Sequence, residues 1–465
     1  MHTACRMKRV LFRCKCATAA AVFLSGCAEL PERQPLDVSV PNQFSLGFVG
    51  SATPDAVAWW ERFNDHDLNM LLTSGLADSP TIKSARAQLR AAGEGARAAG
   101  LRVNGDATFA GTASSSGPDS RSAGLAVDFL PFGGRQAEVA LAEAQFNQAR
   151  AAYLDTQRTL VADVVSGYVQ LRYFQALLGV RQEELRLARS SLDAAEGQAE
   201  FNAATELEVL EARAFVAEVQ SEIPTLRASV VQQQRRLAIL LGLPPTGLPE
   251  VLERQRAQPI PIGTSSIGIP ADLLRNRPDV RETEYAYEVA LAGLGIARAN
   301  RLPRLSLDGL LRANVPGQTI QSGTVGVSIP VFSQPALAAE EAAAGARAEA
   351  AYFDWQQSVI AAIHEVERAL SGLAFSSQAL SAAQRAERLL ERRASMLREA
   401  QATSGSFTLV DVIEADRALT EGREQVLQSA RQLATDYLQL WLALGVFPED
   451  GLESTAGLLD GSRPT

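Results

Sequence analysis

The chain is poor in the residues that carry most enzymatic chemistry. Its 465 residues include only three histidines and four cysteines, and aromatic residues make up 6%. The sequence has no Walker loop, no Gly-x-Ser-x-Gly motif and no cluster of metal ligands. Two histidines follow the N-terminal region, His66 and His364, and we interpret both as helix-surface residues. We therefore predict that the protein is not an enzyme and binds no metal or organic cofactor.

Long apolar runs are also missing. No stretch of about twenty apolar residues follows the N-terminus, so we predict no transmembrane helix. The N-terminus itself has a basic region, a short apolar core and small residues before Cys27. This order indicates a secretory signal over residues 1–26, which begins at Met1 or at Met7. Leu24-Ser25-Gly26-Cys27 resembles the bacterial lipobox, which implies cleavage before Cys27 and a covalent lipid on its sulfur.

Removal of this signal changes what the cysteines and charges indicate. Three of the four cysteines lie within residues 1–26, so the mature chain keeps Cys27 alone and cannot form an intrachain disulfide. The signal carries five cations and no acid, so its loss takes the formal charge from −9 to −14. An acidic mature protein is a poor nucleic-acid binder. Ala28 follows the lipobox cysteine, and by the same resemblance it implies the outer membrane.

The chain is internally duplicated over about two hundred residues. The segment from Thr205 to Ala212, with Glu208 and Glu211, has the same pattern as the segment from Thr408 to Ala415. Repeats of this length indicate a duplicated architectural unit rather than a solenoid. The predicted organisation is a tether at 27–58, a first repeat at 59–242, a Pro-rich connector at 243–270, a second repeat at 271–446 and a disordered tail at 447–465.

Each repeat contains two segments in which apolar and polar residues alternate with period two. The pattern predicts one hairpin at about 106–130 and another at about 305–331, with strands over 106–112, 124–130, 305–315 and 324–331. The segments between them are rich in turn-forming residues. The alternative is that both are surface hairpins of a soluble domain.

A very long helical pattern follows each hairpin. One runs from Arg135 to about Ala199 and the other from Ala336 to about Ala402. Sixty-odd residues of helix reach roughly 100 Å, and helices of that length must pack side by side. Shorter helices return over 205–241, where Pro224 predicts a kink or an exception, and over 409–444. The predicted fold class is therefore mainly α with a small β part.

The two patterns together constrain the assembly. Four strands cannot close into a barrel, and an open sheet edge in lipid leaves backbone groups unsatisfied. If the hairpins lie in a membrane, several chains must contribute strands to one barrel. Two chains would give eight strands and three would give twelve. The residue pattern alone leaves this choice open.

Several motifs spread over residues 59–446 resemble those of the TolC-like outer membrane factors, and the lipobox and tether resemble the NodT-like branch that serves RND-type pumps. The similar motifs are Trp60 and Phe63, Ile269-Pro270-Ala271-Asp272-Leu273-Leu274-Arg275-Asn276-Arg277-Pro278-Asp279-Val280-Arg281, Ile296-Ala297-Arg298-Ala299-Asn300-Arg301-Leu302-Pro303, Pro330-Val331-Phe332 and the paired segments after Thr205 and Thr408.

The resemblance implies a lipid-anchored homotrimer in the outer membrane. A twelve-stranded β-barrel, with four strands per chain, would continue into a long periplasmic α-helical barrel. Such a protein is a passive exit duct that works with a periplasmic adaptor and an inner-membrane RND-type pump. The competing class is a periplasmic lipoprotein scaffold or adaptor. A solute-binding lipoprotein is disfavoured because alternating βαβ units are missing.

The candidate functional residues lie in the second copy of the duplicated motif. Asp411 and Glu414 are three residues apart and so share one helix face. By the resemblance, this face lines the closed periplasmic tip, where three chains would bring six carboxylates together and raise their pKa values. Arg417, one turn from Glu414, would hold the tip shut by pairing with a neighbour. Glu208 and Glu211 are the first-copy equivalents. The alternative is an ordinary solvated acidic face.

Overall fold

The computed structural model describes the chain in segments. These are residues 31–39, 59–101, 105–113, 119–129, 133–201, 204–244, 246, 249–262, 277–315, 319–404 and 407–445. The predicted signal at 1–26, Cys27 and the predicted tail at 447–465 lie outside them.

The described elements repeat the same order twice, with helices before a strand pair and two long helices after it. A 3-10 turn covers Trp59–Phe63 and precedes α1 (His66–Asp78), α2 (Pro80–Leu101), β1 (Gly105–Thr112), β2 (Asp119–Phe129), α3 (Gly134–Glu200), α4 (Glu206–Leu240), α5 (Glu250–Glu253), α6 (Pro278–Asn300), β3 (Arg304–Val315), β4 (Thr319–Ser328), α7 (Gln334–Ser404) and α8 (Leu409–Leu444). None of these described helices combines the length and the apolar character that crossing a bilayer requires.

Contacts divide the described residues into two units. The first unit comprises the described parts of Met1–Val38, Gln88–Ala152 and Asp279–Ser358, and the second those of Ser39–Ala87, Tyr153–Pro278 and Val359–Thr465. The strands all belong to the first unit, and the loops between the paired long helices belong to the second.

In the first unit the four strands form one antiparallel sheet in the order β1-β2-β3-β4. The two hairpins are joined because β2 pairs with β3, with Val127 opposite Leu307 and Ala126 opposite Asp308. The next pair of strands continues these rows, since Leu307 faces Val325. No described strand pairs with the outer edge of β1 or of β4, so both edges have backbone groups that another strand can complete.

The two faces of the sheet differ in chemistry. One face carries mainly apolar residues, namely Ala107, Phe109, Ala123, Leu125, Val127, Leu305, Leu307, Leu311, Val325 and Val327. The opposite face carries mainly polar and small residues, namely Asp106, Thr108, Ser122, Gly124, Asp128, Ser306, Asp308, Arg312, Ser322, Thr324 and Gly326, with Leu310 and Ile320 as large apolar exceptions. Most large side chains of the apolar face are exposed in the single chain, and Val127 is partly buried.

The strand ends differ from those that the alternation predicts. β2 begins at Asp119 rather than near Gly124, and β4 begins at Thr319 and ends at Ser328 rather than at Val331. The early starts are polar segments that gain ladder hydrogen bonds from β3 although their alternation is weak. The end of β4 precedes Pro330, which has no N–H to donate.

The long helices are close to the predicted bounds, and their breakers are tolerated. α4 runs through Pro224 without a break in the helix, and α2 runs through Gly93 and Gly95. α7 begins two residues earlier than predicted and includes Pro335 as its second residue. Proline is compatible with the first turn because the N–H groups there have no helical partner.

The core of the second unit is built from small and aliphatic side chains. α3, α4 and α8 share one cluster, in which Leu185, Phe215 and Ile413 are buried. A separate aromatic group includes Trp59 stacked on Trp441, at 6.3 Å between ring centroids, and the hydroxyl of Tyr437 donates to the carbonyl oxygen of Trp59. Burial of these rings anchors the first residues of the repeat to α8.

Candidate pore constriction

The candidate carboxylates lie at the N-termini of two equivalent helices. Thr408 caps α8: its N–H donates to Oδ2 of Asp411 at 2.8 Å, and its hydroxyl oxygen accepts from the N–H of Asp411 at 3.2 Å. Thr205 and Glu208 form the same reciprocal capping box at the start of α4, at 2.7 and 3.2 Å. Each acid satisfies a backbone donor that the helix itself leaves free. Asp411 and Glu208 therefore fix where the two helices begin.

The capping bonds also affect ionisation. The hydroxyl and then the backbone N–H of Thr408 lower the pKa of Asp411. The backbone N–H and then the hydroxyl of Thr205 lower the pKa of Glu208. Both groups therefore carry a charge at neutral pH within the single chain. The direction for Asp411 is opposite to the rise that repulsion in a trimer would cause, and that rise stays a prediction.

Glu414 lies one turn after Asp411 and is exposed, as is its first-copy equivalent Glu211. The opposite side of α8 is buried, since Leu409, Val412 and Ile413 pack inward. This arrangement orients the Asp411–Glu414 face away from the core of its own chain. The structure thus places the two carboxylates on one outward face.

The two copies of the motif pack differently. Ile413 is 6% exposed, whereas its first-copy equivalent Leu210 is 62% exposed. The start of α8 is therefore held by the core of the second unit, while the start of α4 keeps apolar side chains on its surface. Similar sequence patterns lead to similar caps but not to similar environments.

Arg417 has its partner within the chain. Its Nη2 lies 2.5 Å from Oε2 of Glu218 on α4, and its guanidinium carbon lies 4.5 Å from the ring centroid of Phe215. The sequence predicts that Arg417 pairs with a neighbour and holds the tip shut; the observed partner lies on α4 of the same chain, and the role in closure stays a prediction. The pair is partly exposed, so we attach a modest energy to it, about 0.2–1 kcal/mol.

A polar connection with more partners lies further along the same helices, and it was not predicted from the sequence. Arg181 on α3 forms ion pairs with three carboxylates, Glu184 at 2.8 Å, Glu222 of α4 at 2.9 Å and Glu424 of α8 at 2.9 Å. Burial raises the pKa of Glu184, and Arg181 opposes this rise. Only the Arg181–Glu184 spacing is visible in the sequence, because the other partners are on distant helices.

Asp416 makes a second connection of this kind. It is buried on α8 and accepts from Nε of Arg398 on α7 at 3.1 Å. Burial raises its pKa, and the Arg398 cation lowers it.

Within the described residues, no group of three or more His, Cys, Asp or Glu side chains is placed to hold a metal ion. The polar groups here are thus ion pairs that connect helices.

Loss of the Arg417 contact should loosen α8 from α4. On the channel function that the resemblance implies, we expect Arg417→Ala to raise the single-channel conductance of the reconstituted protein, because both the ion pair and the contact with Phe215 are removed. Glu218→Gln should raise it less, since the stacked guanidinium remains. If Arg417 and Glu218 act as a pair, the double variant should match Arg417→Ala in planar bilayers. Additive effects of the two changes would contradict the pairing.

The described features that bear on function are a sheet with one apolar and one polar face, and pairs of long helices with acidic residues in the caps of α4 and α8. Similarity to known proteins identifies the family. The chain belongs to the outer membrane efflux protein family, whose pattern it matches over residues 71–243 and 269–446.

Individual relatives align with this sequence along nearly the whole chain. Nodulation protein T of Rhizobium leguminosarum bv. viciae is 29% identical over 446 residues, which cover 92% of each chain. The pyoverdine export outer membrane protein OpmQ of Pseudomonas aeruginosa is 27% identical over 470 residues, with 92% of this chain and 95% of OpmQ covered. The outer-membrane channel OprN has a similar structure, with a TM-score of 0.80, 24% identity and coverage of 90% of this chain and 99% of OprN.

These matches confirm the resemblance to TolC-like and NodT-like proteins and the mainly helical fold with a small antiparallel sheet. The protein is an outer membrane efflux protein. The alternatives of a soluble periplasmic scaffold and a solute-binding lipoprotein do not agree with this family.

Proposed function

We propose that the protein is the exit duct of a tripartite efflux system and that it works as a homotrimer. In this proposal it conducts drugs or other small compounds passively from an inner-membrane RND-type pump and a periplasmic adaptor to the outside. The observation that carries the proposal is the four-stranded sheet, which has one apolar face, one polar face and two edges that no described strand pairs with.

The sheet requires partners in lipid. Each unpaired backbone group costs several kcal/mol in the hydrocarbon region, so β1 of one chain must pair with β4 of another. Closure by three chains would give twelve strands with the apolar face outward and the polar face around a lumen. Chemical cross-linking in isolated outer membranes tests the number of chains. A ladder that ends at three bands supports the proposal, and one that ends at two rejects it.

The duct has a proposed constriction at the carboxylates of α8. Three chains would contribute six groups, Asp411 and Glu414 from each. Rings of negative charge attract cations and repel anions. The packing of α8 against α3 and α4 through Leu409 and Ile413 supports this assignment, since a selective ring needs a fixed backbone.

The anchor of the duct is proposed to be a lipid on Cys27. The lipobox pattern supports this assignment, and Ala28 supports the outer membrane as its destination. The lipid is the only non-protein group that we propose for the chain.

The selectivity of the channel tests the constriction. We expect Asp411→Asn with Glu414→Gln to reduce the cation preference of the trimer, because both changes remove charge and keep an acceptor oxygen. The reversal potential across a salt gradient in planar bilayers measures this. An unchanged potential would place the constriction elsewhere and leave an ordinary solvated acidic face.

Glu208→Gln with Glu211→Gln is the matched control. Glu208 occupies the same capping position as Asp411, so both double variants weaken one helix cap in the same way. The cap is matched, and the position and surroundings of the lost charge differ. The control should therefore change the reversal potential less than the Asp411 and Glu414 variant.

A further inference from the structure

Residues 31–38, which lie before the first helix, have no regular secondary structure, yet they belong to the first unit. We call residues 31–38 the strap. Arg33 is its main contact. One guanidinium nitrogen lies 3.0 Å from Oε1 of Glu288, another pairs with Glu284, and the guanidinium carbon lies 4.8 Å from the ring centroid of Trp355. Two carboxylates and one ring face thus hold one cation, which is stronger than a single surface pair.

Side chains of α6 and α7 also form hydrogen bonds with the backbone of the strap. The N–H of Gln34 donates to the hydroxyl of Tyr287 at 3.2 Å. The hydroxyl of Tyr352 accepts from the N–H of Asp37 at 3.3 Å and donates to the carbonyl oxygen of Pro35 at 3.2 Å. The amide of Gln356 donates to the carbonyl oxygen of Asp37 at 2.8 Å.

These donors and acceptors come from α6 and α7, the helices that lead into β3 and out of β4. Tyr287, Tyr352 and Trp355 pack against one another, with ring centroids 5.6 to 6.2 Å apart. A segment whose backbone groups are bound by side chains is held in one register. The strap is therefore a specific contact of the second hairpin's helices.

The number of residues between Cys27 and Arg33 limits how far the lipid site can lie from the strap. Cys27 precedes Arg33 by six residues, and six extended residues span at most about 20 Å. From Glu288 to Asn300, the last residue of α6, the helix rises over twelve residues, or roughly 18 Å. The chain between the lipid site and Arg33 is thus only just long enough to reach the level at which the strands begin.

We propose that the strap and the residues before it form a mooring, meaning a tether whose length matches the distance from Arg33 to the membrane surface that carries the lipid. The mooring holds β3 and β4 at a fixed depth relative to that surface. This inference rests on the proposed lipid at Cys27 and on the proposed membrane position of the strands. Arg33 is the positioning residue of the mooring. The chain between Cys27 and Arg33 is hardly longer than the distance it must span. If this connection is shortened, the lipid cannot stay in the membrane while the strap stays bound to α6 and α7.

Cross-linking in the complete protein tests this competition. Asp37→Cys with Gln356→Cys gives two thiols across the strap contact, and the mature chain has no other thiol once Cys27 is lipidated. A short bis-maleimide applied to outer membranes, followed by protease digestion and mass spectrometry, measures the docked fraction. We expect a high cross-linked fraction in the full-length tether and a roughly tenfold fall with Arg33→Glu, which places like charges together at about 1.4 kcal/mol per tenfold.

Deletion of Glu29 and Leu30 is the decisive change, because it shortens the reach by roughly 7 Å and keeps Ala28 after the lipidated residue. We expect the cross-linked fraction of the lipidated protein to fall at least severalfold. It should recover when the same deletion is made with Cys27→Ser behind an ordinary cleavable secretory signal, since no lipid then pulls on the strap. Insertion of two residues after Leu30 should leave the fraction unchanged.

Incorporation of labelled fatty acid separates the two levels of the proposal. A labelled, shortened chain that cross-links as well as the full-length chain overturns the mooring alone. Equal loss in the lipidated and unlipidated shortened chains overturns it too, since the deletion would then disturb docking directly. An unlabelled full-length chain overturns the proposed lipid and the mooring together.

Discussion

Val325→Arg is expected to abolish recovery of the trimer from the outer membrane, whereas Thr324→Arg at the adjacent position leaves most of it. Val325 is 69% exposed in the single chain and continues a row with Leu307 and Val127. In the closed barrel this row faces lipid, where an arginine costs about 2–4 kcal/mol near the midplane. Three chains incur that cost three times. Heat-modifiable migration of outer membrane samples measures the trimer.

Thr324 is a close control for Val325, since the two residues are adjacent on β4 and lie on opposite faces of the sheet. It lies opposite Asp308 on the polar face, so an arginine there gains an acidic neighbour and remains near water. Both variants add the same side chain to the same strand. Equal trimer yields would reject the assignment of the apolar face to lipid, and loss at Thr324 alone would reverse it.

The strands illustrate what the sequence can and cannot predict. Alternation identified all four strands, although it is weak in β1, because the face of a strand is set by a period of two residues within that strand. The pairing of β2 with β3 joins segments that are far apart in sequence, and no local pattern encodes it. The polar starts of β2 and β4 were missed for a related reason: their stability comes from the neighbouring strand rather than from their own apolar residues.

The same limit applies to the candidate site. The positions of Asp411 and Glu414 on one helix face follow from their spacing, and the Thr-x-x-Asp pattern that caps α8 was available in the sequence. The Arg417–Glu218 pair joins residues 199 positions apart, and Arg33 reaches Glu284 over 251 positions. Contacts of this range depend on helix packing, which a single sequence does not reveal. Both of these connections were therefore visible only in the fold.

The Arg181 contacts should have the larger effect among the helix connections. Glu184 is only 4% exposed on its side chain, so Arg181→Met leaves a buried carboxylate without its cation. Breaking a buried pair in this way typically costs about 3–5 kcal/mol. We expect a clear fall in the melting temperature of the helical circular dichroism signal and weaker attachment of α4 and α8, which Arg181 joins through Glu222 and Glu424.

The pH dependence identifies the cause of that loss. Burial already raises the pKa of Glu184, and removal of Arg181 raises it further. Between the ordinary and the raised pKa the folded variant binds a proton that the unfolded chain releases, so its stability falls as pH rises through this window. The Arg181→Met protein should therefore be closest to the unaltered protein at acidic pH and furthest from it at neutral pH. Adding Glu184→Gln removes the buried charge, so it should recover much of the stability at neutral pH and abolish the extra pH dependence. If Arg181→Met lowers the melting temperature equally at all pH values, its effect is lost packing, and Glu184 is not the group that requires the cation.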